Sequence, residues 1–203
     1  MSAGRYTSVL ALSLMAVLTV SGASKSFSGA ASWSPSGTYH LFTISSGSME
    51  PTLQVGDLVV VDENPNDLSP LKADEIIVFR TPPAARRDCA TEDGDLVARV
   101  VATGGQSLRS QGDLVWVKNP SGKWKRLPES YFRDNGEDTP LGEPIIPYTV
   151  PKNDLYVLGD NRPISCDSRV WGPLPDRDVI GKVVLVCTSN SADVCKQLGK
   201  LGD

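Results

Sequence analysis

The sequence predicts an all-β protein, and three observations lead to that prediction. Short β-branched runs such as "DLVVVD" (57–62) recur along the chain, together with alternating runs such as "HLFTI" (40–44). The 203 residues include 18 glycines and 15 prolines, which suits short strands joined by turns better than it suits helices. Leucine-rich helical periodicity is scarce after residue 24. We therefore expect one mostly β domain.

The N-terminal segment has a different character from the rest of the chain. Between Ser8 and Ala23 there is no charge, and Arg5 and Lys25 flank this apolar run, which is shorter than the roughly 20 residues that a spanning helix needs. Two interpretations stay open on these residues alone. One is a cleaved signal peptide with "SGA" as its small-residue cleavage site, and the other is a retained membrane anchor. Under both interpretations the domain that follows is exported.

Seven or eight strands with almost no helix are expected from the runs after residue 39. The two segments at 81–95 and 128–149 are predicted to be loops, because they are rich in proline and charge and show no period. The predicted strands are "HLFTI" (40–44), "DLVVVD" (57–62), "DEIIVFR" (74–80), "LVARVVA" (96–102), the hairpin "LVWVKNPSGKWKRL" (114–127), "DLYVLGDNR" (154–162) and "DVIGKVVLVC" (178–187).

Charge, cysteine and histidine content exclude several classes of function. A net charge of −4 offers no basic stripe to displace counterions, so we expect no nucleic-acid partner. Four cysteines suit an exported domain, and Cys187 and Cys195 are the nearest pair: a disulfide between them is one reading, and buried or free thiols are the other. With His40 as the single histidine and no zinc-finger spacing, neither a metal nor a cofactor is predicted.

Three stretches carry the candidate chemistry. They are "SGSMEPTL" (46–53) with "GDLVVV" (56–61) behind it, "ARVVATGG" (98–105) and "GDNRPISCDSRVWG" (159–172). In order and spacing, over roughly residues 40–187, they resemble the bacterial type I signal peptidases. That resemblance implies a membrane-anchored serine protease with a signal-peptidase and LexA-like β-barrel-type catalytic domain and one N-terminal transmembrane helix.

The resemblance also favours a retained anchor over a cleaved peptide. It implies a cytoplasmic tail at 1–7, an anchor at 8–24, a Ser- and Gly-rich linker at 25–39, a catalytic domain at 40–190 and a C-terminal tail at 191–203. The expected location is the cell membrane, with a single span and the catalytic domain on the extracytoplasmic side.

Site residues follow from the resemblance, position by position. Ser48 matches the nucleophile, and the Ser46 hydroxyl with the Ser48 backbone matches the oxyanion hole. Asp167 and Arg169 are expected to pair and brace the strand that bears the base, and Cys166, just before Asp167, reads as a core residue. The polar network is expected to comprise Asp160, Arg162, Ser165, Asp167 and Arg169, with Ser165 contacting the base.

The sequence departs from the family at the general base. The family uses a lysine whose pKa is lowered by burial, and the aligned position here is Ala98. The neighbouring Arg99 cannot deprotonate. His40 on an extended strand would lie on the order of 26 Å from Ser48, and Lys72 reads as a solvated turn residue.

Two explanations of Ala98 stay open. One is an introduced Lys→Ala change in an active peptidase, which the otherwise intact site favours. The other is a natural, catalytically silent relative that acts as an accessory protein in surface-protein or pilus assembly. A self-cleaving repressor of the related Ser/Lys fold would want a DNA-binding helix-turn-helix at the N-terminus, where an apolar segment stands instead.

The resemblance also implies the partners. The substrate is a secretory precursor with small residues at −1 and −3, bound as an added strand, and the segment "LFTISSGS" (41–48) is expected to line its pockets. Leu41 and Phe42 either contact membrane lipid or pack in the core, and core packing is preferred. The sequence makes no prediction of oligomeric state.

Overall fold

The computed structural model describes residues 39–64, 70–90, 94–112, 114–129, 131 and 142–188, together with the backbone of 195–197. Contacts divide the chain into residues 1–34 and 35–203, and all the described residues belong to the second unit. The expected anchor and almost all of the linker lie outside the described residues, as does most of the predicted C-terminal tail. No helix within the described part is long and apolar enough to cross a membrane.

A large antiparallel sheet forms the body of the described unit. Its strand order is β1-β2-β11-β3-β4-β9-β10, and β12 pairs with the end of β11. Its strands are β1 (Tyr39–Thr43), β2 (Leu58–Asp62), β3 (Ile76–Arg80), β4 (Asp95–Thr103), β9 (Asp154–Leu158), β10 (Leu174–Pro175), β11 (Val179–Cys187) and β12 (Cys195–Gln197).

A smaller antiparallel sheet has the order β7-β6-β5-β8. Its strands are β5 (Ser107–Gln111), β6 (Leu114–Lys118), β7 (Lys125–Arg126) and β8 (Tyr148–Thr149). The predicted hairpin at 114–127 is the pair β6–β7, and its turn closes where the Gly122 amide donates to the Asn119 carbonyl. β4 leads through the turn at Gly104–Gly105 into β5, so the two sheets are consecutive in the chain.

β4 changes partners along its length. It pairs with β3 from Asp95 to Arg99 and with β9 from Arg99 to Thr103. β9 ends at Leu158 opposite Arg99, so in the described residues no strand pairs with the second edge of β4 before Arg99. An unpaired strand edge is a template for an added strand.

Three apolar clusters fill the interior. The first lies under β1 and β2 and includes Met49 and Leu53, and the second joins Phe79 and Ala98 to Trp171. The third connects the two sheets through Val101, Leu108 and Tyr156. The all-β prediction is therefore confirmed for the described residues, although the twelve strands there exceed the expected seven or eight.

Two short helices were not predicted. α1 (Pro83–Cys89) lies in the segment expected to be a loop, and α2 (Ser168–Trp171) follows the last motif. Proline at the first helical position and the Ala-Ala-Arg-Arg run after it are favourable for a helix, so the loop prediction for residues 83–89 was wrong.

Candidate active site

Ser48 lies in a 3₁₀ turn, Gly47–Met49, between β1 and β2. Ile44 before the turn is 5% exposed, and Met49 and Leu53 after Ser48 are 1% and 0% exposed, so both flanks of the turn are anchored in the first apolar cluster. Ser48 itself is half-buried. The Ser-Met-x-Pro-Thr-Leu pattern therefore has a physical reason: the apolar residues fix a turn that presents the serine.

The segment after β9 holds this turn from the other side. The backbone N–H of Asn161 donates to the Ser48 carbonyl at 2.9 Å, and the side-chain amide of Asn161 donates to the Gly47 carbonyl at 3.0 Å. Gly159 is packed so closely that an added Cβ would lie 2.6 Å from the Ser48 carbonyl oxygen and 2.2 Å from Ser165 Oγ. Only glycine fits here, and the close approach brings Ser165 beside the turn of Ser48.

The hydroxyl oxygens of Ser46 and Ser48 are 3.1 Å apart and share a hydrogen bond. Ser46 has extended backbone angles and immediately precedes the 3₁₀ turn. The two hydroxyls are therefore neighbours, and the turn that follows Ser46 brings them together. Such an arrangement can place a hydroxyl donor near the oxyanion that forms when a serine hydroxyl attacks a carbonyl carbon.

Ser48 and Ala98 line the same cavity, which has a volume of about 380 Å³. Ala98 is 3% exposed on β4 and belongs to the apolar cluster of Phe79 and Trp171. Among the described residues that line the cavity, none carries an amine, imidazole or guanidinium group; the ionisable side chains are Asp95 and Asp167. Hydroxyl groups come from Thr43, Ser45, Ser46, Ser48 and Ser165.

The two alternative bases do not line this cavity. His40 is exposed on β1, and its Nδ1 is 2.6 Å from a carboxylate oxygen of Glu63. β1 ends at Thr43, so His40 and Ser48 do not share one strand as expected. Lys72 lies in an exposed turn before β3. Neither side chain supplies a base to Ser48 in this arrangement.

Arg99 turns to the opposite face of β4 from Ala98 and forms a buried ion pair. Its Nε and Nη2 donate to the two carboxylate oxygens of Asp160 at 2.8 and 2.6 Å, and its Nη1 donates to Asp74. Asp160 also accepts a hydrogen bond from the Thr52 hydroxyl, four residues after Ser48. The pair thus connects β4, the segment after β9 and the segment after Ser48.

This contact corrects the expected role of Asp167 and Arg169. They do pair, with two bonds of 2.7 Å, but Arg169 also donates to the carbonyls of Arg162 and Ser165, and Asp167 accepts from the Gly159 amide. They therefore brace the loop at 159–167. The strand that carries residue 98 is braced by Arg99 and Asp160 instead.

Arg162 belongs to the same loop, and it is 1% exposed. Its Nε donates to the Gly159 carbonyl at 2.9 Å, and its Nη2 donates to Glu129 at 2.6 Å. Burial raises the pKa of Glu129, and the neighbouring Arg162 partly offsets that effect. The five polar residues predicted from the last motif are thus all present around the loop, but their partners include two that were not predicted, Arg99 and Glu129.

A disulfide joins Cys89 at the end of α1 to Cys166. Cys166 is exposed and lines the cavity, so the interpretation of this residue as plain core was wrong. The Trp171 indole donates to the Cys166 carbonyl at 3.1 Å and closes the same wall. Cys187 is also disulfide-bonded, and it lies opposite Cys195 in the register of β11 and β12.

The segment "LFTISSGS" lines the cavity from Phe42 to Ser48, as expected. Phe42 packs against the first apolar cluster, whereas Leu41 is 68% exposed. The preferred core packing is therefore correct for Phe42 and wrong for Leu41.

The sequence alone did not reveal Arg99 as a partner of Asp160. Strand alternation offered a signal. The arginine beside Ala98 must face the other side of β4, and a guanidinium that is buried there needs a carboxylate partner. For Cys89 no such local signal exists, because four cysteines allow three pairings.

Comparison with known proteins gives a consistent result. A family model described as signal peptidase, peptidase S26, matches residues 15–188. The chain is 31% identical over 142 residues to a signal peptidase I of Leptolyngbya laminosa, covering 70% of this chain and 65% of that protein. It is 30% identical over 151 residues to a signal peptidase I of Bacillus caldolyticus, covering 70% and 75%.

Two further likenesses extend the comparison. A probable thylakoidal processing peptidase 2 of Arabidopsis thaliana is 32% identical over 142 residues, which cover 70% of this chain and 36% of that protein. A crystal structure of a signal peptidase I from Enterococcus faecalis V583 has 22% identity and a TM-score of 0.41, covering 56% of this chain and 96% of that one. The matched region thus spans less than two-thirds of some relatives, including that of Leptolyngbya.

Proposed function

The chain belongs to the signal peptidase family, peptidase S26, and on that premise we propose that it is built to bind and cut exported precursor proteins at Ser48. Relatives named signal peptidase I are serine endopeptidases. The single observation that carries the proposal is that Ser48, Ser46 and position 98 meet at one cavity beside an open strand edge.

The open edge of β4 is the proposed binding place for the substrate. Asp95–Ala98 pairs with β3 on one side only, so an extended peptide can hydrogen-bond to the other side and pass Ser48. Small residues at −1 and −3 suit the cavity because its wall is already filled by Phe79 and Trp171. The proposed location is the extracytoplasmic side of a membrane, with residues 8–24 as the anchor.

The proposed chemistry assigns one step to each hydroxyl. Ser48 Oγ attacks the scissile carbonyl carbon, and the Ser46 hydroxyl and the Ser48 amide stabilise the oxyanion that forms. A base must accept the Ser48 proton, and in the family a lysine at position 98 does so. With Ala98 the described lining offers no such group, so the unmodified chain is expected to be slow or silent.

Introducing the lysine tests the proposal directly. Ala98→Lys should cleave a precursor peptide with alanine at −1 and −3 about 10²–10⁴ times faster than the unmodified chain. Ala98→Arg is the matched control, because a guanidinium does not deprotonate, and Ala98→Lys with Ser48→Ala should lose the gain. A folded Ala98→Lys chain with no cleavage contradicts the proposal.

A second candidate function is peptide binding without cleavage, as in an accessory protein of surface-protein or pilus assembly. It is favoured by one observation: among the described residues that line the cavity, only carboxylates are ionisable. If this candidate is correct, the unmodified chain binds the same precursor peptide with measurable affinity, and the Ala98→Lys variant does not cleave it. Fluorescence anisotropy with a labelled peptide and a cleavage assay on the same samples separate the two candidates.

A further inference from the structure

We propose that the cavity over Ala98 is a binding site for a primary alkylamine that comes from outside the chain, and that a bound amine serves as the base for Ser48. The catalytic half of this inference rests on the proposed function. The binding half rests only on the shape and chemistry of the cavity.

The cavity is large enough for the part of a lysine side chain that position 98 lacks. Beyond its Cβ, a lysine carries three carbons and one nitrogen, which are the heavy atoms of n-propylamine. At roughly 30 Å³ for each small group, these four atoms need on the order of 120 Å³. The cavity of about 380 Å³ holds them and leaves room for a peptide side chain.

The walls suit an amine in either charge state. Val78, Phe79 and Trp171 are apolar and lower the pKa of an enclosed amine, which favours the neutral base. The carboxylates of Asp95 and Asp167 are the ionisable groups among the described lining residues, so an incoming ammonium ion meets no like charge there. Asp167 is already paired with Arg169, which leaves the exposed Asp95 as the attracting charge among the described lining residues.

The polar groups that would contact the amine are hydroxyls. Ser48 and Ser165 both line the cavity, and each can donate to a neutral nitrogen. Arg99 does not compete for this space, because its guanidinium is held by Asp160 and Asp74 on the other face of β4.

The proton and bond changes balance without a further reactant. The neutral amine takes the Ser48 hydroxyl proton while Oγ bonds to the scissile carbon, and the carbonyl π electrons move to oxygen. The resulting ammonium returns its proton to the leaving peptide nitrogen as the C–N bond breaks. Water then transfers a proton to the amine and attacks the acyl carbon, and Ser48 leaves with that proton.

Two sources share this chemistry: a free amine, and a lysyl side chain of the bound peptide. A peptide lysine has the advantage of a high effective concentration once the peptide lies along β4. The inference therefore names a substrate class, extended precursor segments with a lysine close enough to the scissile bond to reach the cavity.

Binding is tested first and without reference to activity. Protein-observed NMR of the full chain with n-propylamine should shift the amide signals of Ser48 and Ser165 saturably, and n-propanol should not. Ala98→Met is the matched control, because its side chain fills the same space without an amine, and it should abolish the shifts. Equal shifts in the Met variant, or none in the unmodified chain, overturn the inference.

Rescue is tested second. Cleavage of the alanine −1, −3 peptide by the unmodified chain should rise at least tenfold with n-propylamine, less with ethylamine and n-butylamine, and not with n-propanol. A second set of measurements tests a lysine of the peptide as the source. One lysine is placed at each position of the peptide in turn, and each peptide is compared with one that has norleucine at the same position. A rate gain by lysine alone identifies the peptide as the source, and a gain only with free amine identifies the solution.

The outcomes separate this inference from the proposed function. Cleavage by Ala98→Lys together with no binding and no rescue overturns the amine site and leaves the proposed function standing. Amine binding together with an inert Ala98→Lys supports the site and contradicts the proposed peptidase. Stimulation that persists in Ser48→Ala overturns the catalytic half, because the amine would then act without the serine.

Discussion

The guanidinium of Arg99 and the carboxylate of Asp160 form a two-bond ion pair, with nitrogen–oxygen distances of 2.6 and 2.8 Å, in the interior of the protein. Arg99 directly follows Ala98, and Asp160 also accepts from Thr52, four residues after Ser48. One pair of side chains therefore fixes the distance between the strand of position 98 and the turn of the serine.

Asp160→Asn should be strongly destabilising, because it leaves the buried Arg99 without its full counter-charge. Breaking one partner of such a pair costs about 3–5 kcal/mol in free energy of unfolding. Asp176→Asn is the matched control, since Asp176 is exposed and its change should stay within about 0.5 kcal/mol. Urea unfolding of the three chains measures the difference; similar midpoints for all three would mean that Asp160 does not hold β4.

Gly159→Ala should displace the serine. The added Cβ would lie 2.6 Å from the Ser48 carbonyl oxygen and 2.2 Å from Ser165 Oγ, both too close for non-bonded atoms, so the turn or the loop must move. Gly94→Ala is the control, because its Cβ would meet nothing within 4 Å. In the Ala98→Lys background we expect kcat/KM to fall at least tenfold for Gly159→Ala and to be unchanged for Gly94→Ala. Equal activities would contradict the close packing.

Ser46→Ala should lower kcat by about 10²–10³ in the Ala98→Lys background, because one donor to the oxyanion is lost. Ser46→Thr keeps the hydroxyl and should recover most of the rate. Ser45→Ala removes a neighbouring hydroxyl of the same cavity, whereas the hydroxyl that bonds to Ser48 Oγ is that of Ser46, so this change should affect kcat little. A full rate in Ser46→Ala would show that the 3.1 Å hydroxyl contact has no role in the reaction.

Glu129 should make the protein less stable as pH rises. Its pKa is raised above the ordinary 4.5, mainly by burial, so between 4.5 and the raised value the folded state holds a proton that the unfolded state has lost. The contribution of Glu129 to the free energy of unfolding is thus largest below pH 4.5 and declines as pH rises through the raised pKa. The stability difference between the native chain and Glu129→Gln, measured by urea unfolding from pH 4 to pH 8, should shrink with rising pH. Glu143→Gln, an exposed change, should give a flat difference.

Most strands and the serine-bearing turn were accessible from the sequence because their signals are local. β2, β3, β4 and β11 coincide with β-branched runs, and period-2 alternation puts Ala98 and Arg99 on opposite faces without any knowledge of the fold. Ser48 was singled out by the resemblance of "SGSMEPTL" to a family motif, and the turn that holds it is anchored by Met49 and Leu53, which follow it in the chain and are buried.

Long-range pairings were not accessible in this way. Arg99 and Asp160 are 61 residues apart, and Cys89 and Cys166 are separated by 77, so nothing in either local pattern points to the other. The helix at 83–89 was missed for a different reason. Two adjacent prolines suggested a loop, but Pro83 stands at the first helical position, where its missing amide proton costs nothing.

The cross-link between α1 and the wall of the cavity ties completion of the site to the redox state of the surroundings. Cys89 and Cys166 can be joined only after both have been synthesised and an oxidant has reached them, and thiols in a reducing cytosol stay apart. In a reducing compartment the chain thus lacks one clamp on the loop beside Ser48, and the cross-link is complete only where an oxidant is present. Recombinant material should accordingly be made in an oxidising host before its activity is judged.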